Sequence, residues 1–180
     1  MLQGFQASPV TGGRGQVYCA TALVTPSLFS TAAGMSGPLL WNGSALSGGK
    51  GVTAYLLAVS YGLAVASTVA GAIGITGAAG QPAAPTTTTA IGITGNLSVG
   101  GPAPQCTAYA VGTVVNAGTF FLPTGGVGTG ATTVQTTDDN IINLGGVIQV
   151  PTSAWAAVAA SAILTTSTVQ VGLVWLEAPN

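Results

Sequence analysis

The sequence predicts an all-β protein, a β-sandwich of the jelly-roll type with about eight strands; a single β-barrel is the alternative. Three observations predict it. Large and small side chains alternate with a period of two through residues 52–75, which puts the large ones on one face of a strand but scatters them around a helix. Short runs rich in Val, Ile, Thr and aromatic residues recur along the chain, separated by Gly, Pro, Ser and Asn, the punctuation of β-structure. No segment carries the period of a soluble amphipathic helix. The 180 residues suit one domain large enough to bury a core. Residues 16–180 are read as that domain, and residues 1–15 as an extended arm whose Phe5 would fill a neighbour's pocket.

The elements follow in order. "QVYCATALVT" (16–25) reads as a strand, and "PLLWNGSALSGGKG" (38–51) as a short strand followed by a Gly/Ser loop. In 52–75 the odd positions include Tyr55, Leu57, Val59, Tyr61, Leu63 and Val65, whereas the even ones are mostly Ala, Ser, Gly and Thr, with Leu56 the main exception. At about 3.3 Å per residue one strand of that length is too long, so a bend, bulge or turn is expected near Gly62 or Ser67-Thr68. The six letters "AIGITG" occur at 72–77 and again at 90–95. Each copy sets an Ile-x-Ile pair on one strand face, and the two are expected to be neighbouring strand ends joined by a Pro-containing exposed loop over 78–89. No longer period supports a solenoid. "TGNLSVGGPAPQ" reads as a strand end and turn, 106–123 as a strand, and 124–140 as a surface excursion. "IINLGGVIQVP" and "SAWAAVAASAIL" read as two strands separated by Pro151, although the alanines of the second would tolerate a helix. "STVQVGLVWLEAP" sets Val169, Val171, Leu173 and Trp175 on one face.

Composition then excludes whole classes of function. Only Arg14, Lys50, Asp138, Asp139 and Glu177 carry charge, 3% of the chain against about 25% in an average soluble domain. No basic patch exists to neutralise phosphates, so no nucleic-acid partner is expected. With 48% hydrophobic residues the chain is not of the disordered kind. Residues 51–137 carry no charge, and 52–75 is long enough to cross a bilayer. Its period of two and its lack of Lys/Arg flanks argue against a membrane helix. The first fifteen residues lack the basic and apolar regions of a signal peptide. A chain this poor in charge suits life packed among copies of itself, so a homo-oligomer is expected.

The catalytic inventory is nearly empty, and the chain is read as no enzyme. Without histidine neither a Ser-His-Asp nor a Cys-His arrangement can form, and common zinc sites lack their ligands. "GGVGTGA" is not a phosphate loop, and Lys50 in "SGGKG" lacks the following Ser/Thr. Asp138 and Asp139 are adjacent, so on a strand they point to opposite faces and make a poor glycosidase pair; a hydrated turn is the plainer reading. No cofactor and no metal is expected. Cys19 and Cys106 read as two buried thiols, with one disulfide as the other possibility. Asn42 and Asn96 match glycosylation sequons without a secretory signal and are read as coincidence. Trp41, Trp155 and Trp175 could form a sugar platform, but each sits in an apolar strand, where core packing is the natural use.

Two stretches carry a resemblance. "LLWNGSALSGGKGVTAYLLAVSYGL" and the ending "VGLVWLEAPN" resemble a family of tailed-phage virion structural proteins. Members tend to show a strand ending in an Asn-Pro/Gly-Ser-like turn, then Gly-Lys and a Val-x-Leu-Leu-x-Val strand, and finish on a short Trp-Glu-Glu-x-Pro strand. Asn42, Gly43, Ser44, Gly49 and Lys50 match the first motif. Trp175, Glu177 and Pro179 match the second, with Leu176 where the family often has an acid. The similarity covers about residues 12–70 and the last 30; the Thr-rich middle has no counterpart. The resemblance implies a capsid decoration or cement protein on the virion surface, a jelly-roll trimer bound to the major capsid protein, and it brings no catalytic residue. A tail or fibre component and a host-surface carbohydrate-binding knob using Trp41 or 124–140 are the alternatives.

Overall fold

The computed structural model describes residues 16–43, 51–65, 69–91, 95–96, 103–127, 140–164 and 167–180. The expected arm, Phe5, the Gly/Ser loop, Ser67-Thr68 and the Asp138-Asp139 pair lie outside them. The described residues form eleven strands and no helix: β1 (Gln16–Val24), β2 (Met35–Asn42), β3 (Val52–Val65), β4 (Gly71–Ala79), β5 (Thr86–Ala90), β6 (Gly95–Asn96), β7 (Thr107–Thr113), β8 (Phe120–Val127), β9 (Asn140–Val150), β10 (Ala154–Ala160) and β11 (Thr168–Pro179).

Two antiparallel sheets face each other, ordered β6-β1-β11-β3-β9 and β5-β7-β2-β10-β4-β8. Both are open at their edges, so the barrel alternative does not hold. Setting β5, β6 and β7 aside leaves β1-β11-β3-β9 against β2-β10-β4-β8, eight strands whose chain positions run 1-8-3-6 and 2-7-4-5. That is the connectivity of a jelly roll. The three remaining strands are one excursion between β4 and β8. It lengthens one sheet beyond β2 and the other beyond β1, wrapping one side of the sandwich. The expected number of strands therefore holds for the roll, and the excursion adds three.

The period of two survives along most strands because each sheet must bury one face. On β11, Val169, Val171, Leu173 and Trp175 are all buried, as their alternation predicts, and each such side chain contributes about 1.5–3 kcal/mol. On β3 the alternation misleads over half the strand. Val52, Ala54 and Leu56 face the core first, then Val59, because Leu57 is skipped in the pairing with both β11 and β9. This bulge switches the inward parity. Leu56, the apparent exception, is a core residue, whereas Tyr55 and Leu57 face outward. The bulge in β9 is deeper, and Gly145 and Gly146 supply the positive φ it needs.

Other expectations change too. The Pro-containing loop shrinks to 80–85, because β4 runs to Ala79 and the threonines form the edge strand β5. The two "AIGITG" copies are not neighbours. The first lies within β4, the second begins at the end of β5, and β7, β2 and β10 separate those strands. Residues 106–123 split into β7 and β8 around an irregular stretch at 114–119, and the expected excursion at 124–140 begins with the last four residues of β8. The alanine-rich β10 is a strand with all seven residues buried. It pairs with β2 on one side and β4 on the other, so its backbone groups are satisfied without a helix, and its small side chains let covering layers approach on both faces. Gly37 has a similar role on β2: its φ is 148°, and a Cβ there would lie 2.1 Å from the Val158 carbonyl oxygen.

Two apolar clusters result. The larger fills the space between the sheets and includes Tyr18, Leu40, Leu56, Ile75, Val158, Leu173 and Trp175. The smaller lies on the outer face of β2 and β10, where Met35, Leu39, Tyr109, Trp155 and Ala157 meet Trp41 and Ala32.

Candidate functional site

Glu177, near the end of β11, is the one charged side chain among the described residues, and it is buried. Its Oε2 accepts the Gln105 N–H at 2.8 Å. Its Oε1 accepts the Cys106 N–H at 3.0 Å and the Trp175 indole N–H at 3.1 Å. Three donors converge on a carboxylate in place of a cation, an arrangement that holds a buried negative charge at tolerable cost. The result clamps the lead into β7 onto β11, so the excursion is tied to the sandwich. Burial first, then the charge of Glu177 and a hydrogen bond to it, push the Cys106 thiol well above its ordinary range. A thiol held protonated is a poor nucleophile, and the hydrogen bonds of this cluster hold two segments together. Burial first, then Glu177 and Cys106, likewise raise the Tyr18 hydroxyl, whose ring packs 5.9 Å from that of Trp175.

Asn42 is fully buried, and its side-chain amide donates to the Val52 and Val150 carbonyls at 2.7 and 2.8 Å. It bridges the end of β2 to β3 and β9 in the opposite sheet, and as a glycan acceptor it is inaccessible. Gln81 does comparable work outside the sandwich. Its side chain accepts the Val115 N–H and donates to the Ala83 carbonyl, and its own carbonyl accepts the Trp41 indole N–H. The stretches 80–85 and 114–119 are thereby drawn over the smaller apolar cluster. Trp155 and Trp175 are both buried, as core packing requires. Trp41 is half-buried, and a Cβ on Gly43 would lie 2.2 Å from its ring, so Gly43 lies against part of the ring. Cys19 is half-buried, Cys106 is buried, and they form no disulfide.

What the surface offers is apolar. Leu23 (58% exposed), Val65, Val69 and Ile163 (68%) all sit at the end of the sandwich where β1, β3 and β10 finish and β4 and β11 begin. Beside them a groove of about 300 Å³ is lined by Thr25, Pro26, Ser27, Leu28, Ile163 and Leu164. No charged side chain occurs on the surface of the described residues. No group of three or more His, Cys, Asp or Glu that could hold a metal occurs among them, and no described helix is long and apolar enough to cross a membrane. Sequence reasoning did not single out these outward residues, because an outward Val or Ile in a strand reads like an inward one.

The fold and this surface define an all-β sandwich that offers neutral, partly apolar contact area. No family model, curated protein or solved structure matches this chain.

Proposed function

We propose that the chain is a non-enzymatic structural protein of a virus particle, a decoration or cement protein that oligomerises and binds the major capsid lattice. The observation that carries the reading is the exposed apolar end, with Leu23, Val65, Val69 and Ile163 on a surface where the described residues offer no charge. A protein that worked as a free monomer would be poorly soluble with such a surface, whereas burial against a shell and against like copies turns the same area into binding energy. The jelly-roll connectivity and the resemblance of residues 39–63 and of the ending to tailed-phage virion proteins support the same reading; the resemblance also implies a trimer. The carbohydrate-knob alternative has less support, because Trp41, its aromatic candidate, is half-buried against the smaller apolar cluster and its indole N–H is held by the Gln81 carbonyl.

The test is binding to purified heads that lack the protein. Wild type is expected to co-sediment with saturable stoichiometry. The exposed double substitution Val65→Lys with Ile163→Lys is expected to abolish binding while the far-ultraviolet spectrum stays that of a β-protein. Failure of wild type to bind any such head, or undiminished binding by the double variant, overturns the reading.

A further inference from the structure

The two outer faces of the sandwich are finished differently. The outer face of β2 and β10 is roofed by 80–85 and 114–119. No described strand lies over the outer face of β1, β11, β3 and β9. The registers Val17↔Leu176↔Tyr55 and Cys19↔Val174↔Ala58 place two apolar rows across its middle. Thr21, Ser60 and Gln170 border them on one side, and Ile141 and Val147 stand 78% and 75% exposed on the edge strand β9. A sheet face meant for water alternates to polar and charged residues; this one has apolar rows and, among the described residues, no charge.

We propose that this face is where two copies of the chain meet, sheet against sheet. Two arguments select a second copy as the occupant. The first is charge. The described residues of the face supply no charged side chain for an ion pair, so they suit a neutral partner, and a second copy presents the same uncharged rows, apolar in the middle and polar at the border, the anatomy of a specific interface. The second is area. Four strands about 4.8 Å apart, overlapping for about nine residues at about 3.3 Å each, give a footprint of roughly 570 Å² per copy. Two copies together bury about 1,100 Å², which clears the roughly 1,000 Å² a biological interface needs. A face that pairs with itself does so about a two-fold axis, so the number of copies is even, and the trimer implied by the resemblance exists only as half of a hexamer. The inference rests on the self-association part of the proposed function and not on binding to a shell.

Light scattering on the full chain over a range of concentrations, combined with maleimide labelling of Cys19, tests it. Wild type is expected as a dimer or hexamer, with Cys19 labelling slowed as concentration rises. Thr21→Arg, at an already exposed position, and Val174→Lys are each expected to weaken this association about a hundredfold or more, because each buries an unpaired charge, and to release Cys19. Val115→Lys, exposed in the roof of the other face, should change neither readout. A lone trimer, or an even oligomer that both face variants leave intact, overturns the face pairing while head binding still stands. A wild-type monomer at every concentration overturns both the pairing and the self-association it rests on.

Discussion

Replacing Glu177 tests whether the buried carboxylate holds the excursion to the sandwich. In Glu177→Gln the shape is kept and one oxygen still accepts from Cys106 and Trp175. The new amide, however, turns an N–H toward the Gln105 N–H, which it met as an acceptor at 2.8 Å. One charge-assisted bond is lost, at about 1.5–3 kcal/mol, and a donor faces a donor, so a loss of about 2–4 kcal/mol is expected. Glu177→Ala leaves all three donors without their acceptor. At about 1–3 kcal/mol per group that is about 3–9 kcal/mol, reduced toward the lower end where water reaches Gln105. Either is a large share of the roughly 5–15 kcal/mol that holds a domain folded. Urea unfolding at neutral pH, followed by tryptophan fluorescence, measures both, and Trp175, bonded to the same oxygen, reports locally. If Glu177→Gln unfolds within about 0.5 kcal/mol of wild type, within the usual range for an inconsequential surface substitution, the clamp is not what orders the lead into β7.

Other expectations follow from particular side chains. Asn42→Leu strands the Val52 and Val150 carbonyls and should cost about 2–4 kcal/mol in chemical denaturation; Asn42→Asp should cost more, since it points a carboxylate at two carbonyl oxygens. Native protein should react with a maleimide at Cys19 and leave Cys106 unlabelled at any concentration, both thiols reacting only in denaturant; peptide mapping that finds Cys106 modified in the folded chain would contradict its burial. Burial pushes the hydroxyl of Tyr61 up to about 12 from the ordinary 10.0, against the opposing effect of its bond to Thr124 across the sheets. A raised folded value means that the neutral form is favoured in the fold. Its contribution is therefore complete below pH 10 and is lost as pH rises from about 10 to about 12, by up to about 2–3 kcal/mol. In Tyr61→Phe that alkaline loss should shrink but not vanish, because Tyr18 is raised as well.

Much of the fold is legible in the sequence. On β11 the pattern Val169, Val171, Leu173, Trp175 predicts the buried face, because no bulge interrupts that strand's own alternation. On β3 the same rule assigns Tyr55 and Leu57 to the wrong side, since parity there depends on Leu57 being left unpaired by both neighbours, a fact that belongs to β9 and β11 as much as to β3. The threonines at 86–89 read as loop because neighbouring prolines dominate the local signal, yet the exposed edge of β7 accepts them as a strand. The repeated "AIGITG" suggested adjacency, but identical letters favour strand conformation without choosing partners.

The functional surface divides along the same line. The near absence of charge, the lack of histidine and the empty catalytic inventory are properties of composition, and composition exists before folding. The all-sheet class is likewise legible in the local alternation of large and small side chains. Which apolar residues look outward, the convergence of Gln105, Cys106 and Trp175 on Glu177, and the contrast, among the described residues, between one roofed face and one uncovered face depend on distant segments meeting. Period-two alternation says that two faces differ; only the packing of one sheet on another decides which of them is left to meet water or a partner.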